Sequence, residues 1–344
     1  GSTYTINGTF RSNRITFGTL AAQTSSVTFN RFTDYLKFTN VFYGGFDGVN
    51  ILDRNASRLN DKFTSIEKVG AIWCDSPADL AQRVDCVITC LPSPKISNEV
   101  MLGNNGALNS MISGSTWIET STTNVKDLLK ISSKAEKLGV ATLEAPVTGG
   151  IHRAAAGKIT ILIGGDKEVL EKHRHALESF GEPIFHLGGI GTASILKVIT
   201  NMLAFVNLIG AGEGLLLAKK AGIDLTEAYK AIQASSGNSA EFETVAPVIL
   251  NGSFDTAFTL ELACKDLGLM MELGKSYGVP LKFTGLMDQM FIEAKQKYGA
   301  HEWTPNVIKM MEENTGTELR APGFPDRMMD ADSVKEFINR TPSK

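Results

Sequence analysis

The chain has 344 residues, 43% hydrophobic and 21% charged, with 34 basic against 37 acidic side chains for a formal net charge of −3. That length exceeds what one ordinary hydrophobic core organises and implies two domains. The balanced charge gives no basic field for nucleic acid or an anionic membrane, which leaves small molecules as the expected partners.

The first 33 residues carry Arg11, Arg14 and Arg31, many serines and threonines, and no acidic side chain. Organellar transit peptides and disordered leaders share that composition. Residues 1–26 are therefore expected as a leader. A cytoplasmic protein is expected, with mitochondrial or plastid import as the alternative. Between residues 49 and 187, short runs rich in Val, Ile and Thr alternate with helical patterns. The runs are 49–52, 71–73, 86–90, 116–119, 141–144 and 160–163; the helices are 55–69, 76–83, 98–110, 124–137 and 167–180. Such alternation predicts an α/β domain whose parallel sheet is covered on both faces. Ser76-Pro77-Ala78-Asp79 is a helix start, a capping hydroxyl followed by proline in the first turn.

After Gly191 the pattern turns wholly helical, over 192–221, 226–235, 240–251, 257–277, 283–298 and 304–314. This predicts an all-α second domain whose first helix is long enough to join the two. Its most apolar stretch, 202–218, holds Asn207, Glu213 and several glycines, too short and polar for a membrane span. No membrane association is expected. The expected division is a dinucleotide-binding domain over 27–190, an all-α domain for substrate binding and oligomerisation over 191–319, and an extended tail over 320–344. Cys74, Cys86, Cys90 and Cys264 are too few and irregular for a disulfide framework. Cys86 and Cys90 flank Val87-Ile88-Thr89 and are expected in the core. With five scattered histidines, no metal site is expected.

Two segments carry the chemistry. In Glu144-Ala145-Pro146-Val147-Thr148-Gly149-Gly150, a hydroxyl and two glycines can present bare backbone N–H groups to an anion. About fifty residues on, Gly188-Gly189-Ile190-Gly191 runs into Lys197 and Asn201, which share one helix face at i and i+4 and can reach a single substrate oxygen. Asp53 closes the run 49–52, where a carboxylate binds both adenosine ribose hydroxyls and favours NAD. The adjacent Arg54 could cradle a 2′-phosphate instead, so NADP stays open.

These segments resemble the motifs of the β-hydroxyacid dehydrogenases, the family of 3-hydroxyisobutyrate dehydrogenase, tartronate semialdehyde reductase and the glyoxylate/succinic semialdehyde reductases. Thr89-Cys90-Leu91-Pro92 resembles the family's strand-end motif beside the cofactor. Glu119-Thr120-Ser121-Thr122 resembles Asp-x-Ser-Thr with Glu for Asp. Residues 144–150 resemble Asp-Ala-Pro-Val-Ser-Gly-Gly with Glu144 for Asp and Thr148 for Ser. Residues 188–201 resemble the Gly-x-x-Gly…Lys…Asn catalytic helix, with Thr200-Asn201 where many members have consecutive asparagines. Lys265-Asp266-Leu267 resembles the later Lys-Asp-Leu motif. The order is the family's over some 260 residues.

The resemblance implies a Rossmann domain and a helical domain joined by a long helix, and a homodimer or homotetramer. It also implies NAD(P)-linked interconversion of a small 3-hydroxy acid and its semialdehyde or keto acid. It makes Lys197 the general acid/base, Asn201 the residue that orients substrate, and Thr148, Gly149 and Gly150 the carboxylate clamp. Lysine suits the role because partial burial weakens an amine's hold on its proton. Leu91, Pro92, Thr122 and Lys265 would lie against the cofactor, and Phe258 and Ser236 would line the cleft, although apolar packing is the simpler reading of Phe258. The methyl group of Thr148 would narrow the pocket.

One part is missing. A Rossmann unit needs Gly-x-Gly-x-x-Gly after its first strand, about twenty residues before the ribose-binding acid. That spacing points to residues 31–36, Arg-Phe-Thr-Asp-Tyr-Leu, which hold no glycine. Bulky side chains there would occlude a pyrophosphate, and Asp34 would repel it. Three explanations stand: a rearranged loop, a divergent segment that abolishes binding, or a catalytically silent member retained as an oligomeric or binding scaffold. The first strand could also lie at 14–17, followed by Gly18.

Overall fold

The computed structural model describes residues 15–17, 74 and 76–340. Asp53, Arg54, residues 31–36 and the expected elements between 49 and 73 lie outside the described residues. The chain divides into two compact units, Gly1–Lys197 and Val198–Lys344.

The first unit is a layered α/β structure. Its elements in order are β1 (Ile15–Phe17), α1 (Pro77–Ala81), β2 (Cys86–Thr89), α2 (Pro94–Leu102), β3 (Thr116–Glu119), α3 (Val125–Lys137), β4 (Ala141–Glu144), β5 (Val147–Thr148), α4 (Ile151–Ala155), β6 (Ile159–Gly165), α5 (Lys167–Glu178) and β7 (Gly181–His186). Strands β1 to β4 lie side by side and parallel. Strand β6 then runs antiparallel to β4 and β5 and parallel to β7. Strands β2 and β3 are buried at every position, as expected of a parallel sheet covered on both faces. Alternate residues feed two cores. Cys86, Ile88, Ile118 and Leu143 pack with Leu170, Ala176 and Leu177 of α5. Val87 and Trp117 pack on the other face with Leu80, Val100, Leu128 and Ile131. Burial pushes the Cys86 thiol up to about 12, which keeps it an inert core residue.

Several elements differ from expectation for physical reasons. Strand β1 sits at the alternative start and places residues 15–17, expected within a leader, in the sheet against β2. Helix α1 is capped as Ser76-Pro77 predicts, the Ser76 hydroxyl accepting from Asp79 N at 3.0 Å. The same device recurs at Ser93-Pro94 and starts α2 four residues before the expected 98, and Gly103 ends it at Leu102. Strand β7 contains Glu182 and Pro183, which hide a strand pattern but are tolerated at a sheet edge.

The second unit contains α6 (Thr192–Lys220, begun in the first unit), α7 (Leu225–Gln233), α8 (Ala240–Asn251), α9 (Leu260–Tyr277), α10 (Lys282–Tyr298), α11 (Asn306–Thr315) and α12 (Ala331–Arg340). Phe205, Leu208, Ile209, Leu215 and Leu216 of α6 recur at helical spacing and enter one core with residues from every other helix. Gly212 admits Ile308 of α11 where a methyl group would collide. Aromatic contacts tie the core: Phe205 to Phe291 at 5.1 Å and Tyr229 to Phe242 at 5.3 Å between ring centres. Among the described residues α6 is the one helix long and apolar enough to cross a membrane, by length and composition only. Residues 321–340 are not an extended tail. Phe324 and Val334 are buried, α12 packs on α8, and Asn251 Nδ2 donates to Phe324 O at 2.9 Å. Those apolar side chains are spaced widely among charged residues, so no window of the sequence shows them as a face.

Candidate functional site

The parallel register brings three motifs to one edge of the sheet. Thr89, Glu119 and Glu144 are direct cross-strand neighbours at the carboxyl ends of β2, β3 and β4, and Gly164 of β6 pairs with Glu144. Ligands of open α/β sheets bind outside this edge. The loops leaving it are cross-tied. Ser121 Oγ accepts from Leu91 N at 2.5 Å, and Thr120 N donates to Thr89 O at 2.7 Å. Trp117 Nε1 donates to Thr89 Oγ1 at 2.8 Å. Glu119 is buried, and its Oε1 accepts from Ser121 N at 2.8 Å. Burial pushes the Glu119 carboxyl above its ordinary range, and the Ser121 donors oppose that rise. Leu91 is thereby buried, while Pro92 and Thr122 are half-exposed beside it.

Thr148 is pinned in β5 opposite Thr160, and Gly149 and Gly150 follow in the open. Their φ angles of 121° and 85° lie where only glycine fits without strain. Two exposed glycines thus follow the hydroxyl, in the order expected of a carboxylate clamp.

Lys197 lies in the second turn of α6, with 8% of its surface exposed. The start of that helix is held by Glu144, whose carboxylate is fully buried. Its Oε1 accepts from Gly191 N at 2.6 Å and Ala193 N at 2.9 Å. Its Oε2 accepts from Ser194 N at 3.0 Å and Ser194 Oγ at 2.6 Å. Burial pushes the Glu144 carboxyl upward, and these four donors pull it back by favouring the ionised form. Gly191 turns the chain with φ 104° to present its N–H.

In the second unit, Asn201 Nδ2 donates to Asp266 Oδ2 at 2.6 Å, and Lys265 Nζ pairs with Asp266 Oδ1 at 2.9 Å. Asp266 is buried, so this carboxylate fixes which way the Asn201 amide faces. Phe258 stacks on Phe205 with ring centres 6.2 Å apart, which is core packing. Ser236 is exposed in the turn after α7. Among the described residues no cluster of His, Cys, Asp or Glu could hold a metal ion. Sequence reasoning missed the roles of Glu144 and Asp266. Both stood inside quoted motifs, but the donors to Glu144 and the Asn201 amide that Asp266 holds lie 47 to 65 residues away along the chain.

Comparison with known proteins covers both units. Residues 43–188 match the family model of the NAD-binding domain of 6-phosphogluconate dehydrogenase. Residues 191–311 match the model described as NAD-binding of NADP-dependent 3-hydroxyisobutyrate dehydrogenase. The 2-(hydroxymethyl)glutarate dehydrogenase of Eubacterium barkeri is 32% identical over 73% of this chain and 83% of its own. The mitochondrial 3-hydroxyisobutyrate dehydrogenase of Mus musculus is 30% identical over 67% of this chain and 71% of its own. A 3-hydroxyisobutyrate dehydrogenase of Mycobacterium tuberculosis, solved with L-serine, superposes with a TM-score of 0.66 at 26% identity, covering 73% of this chain and 88% of that one.

Proposed function

The chain belongs to the β-hydroxyacid dehydrogenase family, and from that membership we propose that it interconverts a small 3-hydroxy acid and its semialdehyde with NAD or NADP. The molecules named for the three relatives share the form HOCH2–CH(R)–COO−, differing only in R. A substrate of that form meets the features of this chain in order. The Thr148 hydroxyl and the N–H groups of Gly149 and Gly150 hold the carboxylate. Lys197 Nζ takes the hydroxyl proton in oxidation and returns it to the carbonyl oxygen in reduction. Asn201, its amide set by Asp266, orients the reacting oxygen. A bound nicotinamide supplies the hydride acceptor or donor. Leu91, Pro92 and Thr122, on the loops that leave the carboxyl edge of the sheet, would meet the nicotinamide half of the cofactor, and the family resemblance implies a cofactor contact for Lys265 as well. Asp53 and Arg54 are the groups that would choose between NAD and NADP.

The observation that supports this reading is the row Thr89, Glu119 and Glu144, which sets three of the motifs that resemble the family's side by side at one edge of the sheet. The test is turnover of 3-hydroxyisobutyrate, 2-(hydroxymethyl)glutarate and serine by the purified chain with each nucleotide. Replacing Lys197 by Ala should lower turnover roughly a thousand-fold without unfolding the protein. Unchanged turnover would sink the assignment.

A second reading, a self-associating chain without turnover, is favoured by the sequence after β1, Gly18-Thr19-Leu20-Ala21-Ala22-Gln23, which holds one glycine and no Gly-x-Gly-x-x-Gly. Titration with NADH and NADPH separates the two, because only an enzyme needs saturable binding of one of them. Under either reading a second copy is proposed to cover the exposed Leu203, Leu217, Phe283 and Leu286 of the helical unit.

A further inference from the structure

Lys197 and the carboxylate clamp lie on separate elements, yet their relative placement decides whether one substrate reaches both. The clamp side is fixed in the sheet. Ala145 N donates to Glu119 O at 2.7 Å, Leu162 N to Pro146 O at 2.9 Å, and Val147 and Thr148 pair with Ile161 and Thr160. The lysine side is the first turns of α6, whose opening turn carries no acidic side chain of its own. Four hydrogen bonds that join the two sides end on Glu144, four residues before Thr148. Ala193 lies one turn before Lys197 and Ser194 three residues before it. A helical side chain leans over the turn N-terminal to its own Cα, so the turn gripped by Glu144 is the one that Lys197 covers.

The fit is specific to this side chain. A Cβ on Gly164, the cross-strand neighbour, would stand 2.7 Å from Glu144 Cδ and 2.8 Å from Cγ, and closer still to Oε1. The glycine makes room for glutamate, one methylene longer than the aspartate of the family motif. A shorter carboxylate would withdraw by about 1.5 Å, beyond hydrogen-bond reach of most of these donors.

We propose that Glu144, seated against Gly164, is a positioning residue that fixes Lys197 at its working distance from residues 148–150. The role rests on the reading of Lys197 as the acid/base. It acts through the helix, so its loss strikes the chemical step and leaves nucleotide binding alone.

The test compares Glu144→Asp and Ser194→Ala with Lys197→Ala in the full chain. Amide exchange at Leu162 and Ile163 reports that the first unit is folded, and exchange at Ala193 and Ser194 reports the grip. Glu144→Asp should keep Leu162 and Ile163 protected, speed exchange at Ala193 and Ser194, and lower kcat roughly ten- to a hundred-fold. The KM for the nucleotide should stay within about two-fold, a split that general loosening would not produce. Ser194→Ala removes one of the four bonds and should lower kcat several-fold with the same split. If Glu144→Asp does not fold, Ser194→Ala decides by the same criterion. A folded variant with unchanged kcat, beside an inactive Lys197→Ala, overturns the positioning role alone. No turnover in the unaltered chain, or full turnover in Lys197→Ala, overturns the reading of the site and this role with it.

Discussion

His173 on α5 gives a stability test that needs no catalytic activity. The ring is buried, and its Nε2 lies 2.9 Å from Thr116 Oγ1 of β3. Burial, helped by the neighbouring Lys172, lowers its pKa from 6.5 to about 4. The folded state thus holds the neutral ring, while the unfolded chain binds a proton below 6.5. Between those values the unfolded state binds more protons, so the stability contribution is present above 6.5 and is lost as pH falls toward 4. A ten-fold difference in proton affinity between the two states is worth about 1.4 kcal/mol, so lowering the pH from about 7 to about 4.5 should cost about 2 kcal/mol through this group. Glu119, Glu144 and Glu241 carry raised values and act in the opposite sense. The measurement is therefore the difference between the unaltered chain and His173→Gln, in which those titrations cancel. Glutamine keeps a partner for Thr116 and does not titrate. Urea unfolding followed by circular dichroism should show His173→Gln gaining about 2 kcal/mol relative to the unaltered chain over that pH range. A difference that stays flat with pH would refute the assignment of a buried neutral ring.

Gly164→Ala should destabilise the first unit by about 3 kcal/mol, because the displaced Glu144 carboxylate leaves charge-assisted bonds to Gly191 and Ala193 unmade. Adding Glu144→Asp to Gly164→Ala should recover part of that loss in urea unfolding, since the shorter side chain relieves the clash; strictly additive losses would count against it. Asp266→Asn keeps the shape but leaves one acceptor oxygen in place of two and no charge to pair with Lys265. It should lower turnover about ten-fold while Lys197 is untouched, and kinetics unchanged from the unaltered chain would show that Asp266 does not hold Asn201 in place.

What the sequence made legible and what it hid follow from the range of the interactions. Strands β3 and β4 and helix α8 were readable to the residue because their signals are local: β-branched runs, a capping serine, a glycine after the last turn. The glycine pair after Thr148 was readable as a turn because φ angles above 80° at two successive positions leave glycine as the natural occupant. Strand β7 was not, because an edge strand with a glutamate and a proline carries no alternation. Glu144 was quoted in a motif and given no task, since a carboxylate beside Ala-Pro-Val-Thr reads locally as a polar strand end. Its meaning depends on three amides 47 to 50 residues away and on a glycine twenty residues away that leaves it room. Glutamate for aspartate at that position therefore reads as a conservative exchange in the sequence and as a lengthened strut in the fold. The glycine at 164, unremarkable inside a strand of Ile and Leu, is the cue that could have exposed it. A glycine costs a strand packing and backbone entropy, and its presence beside a buried acid marks the space that acid fills.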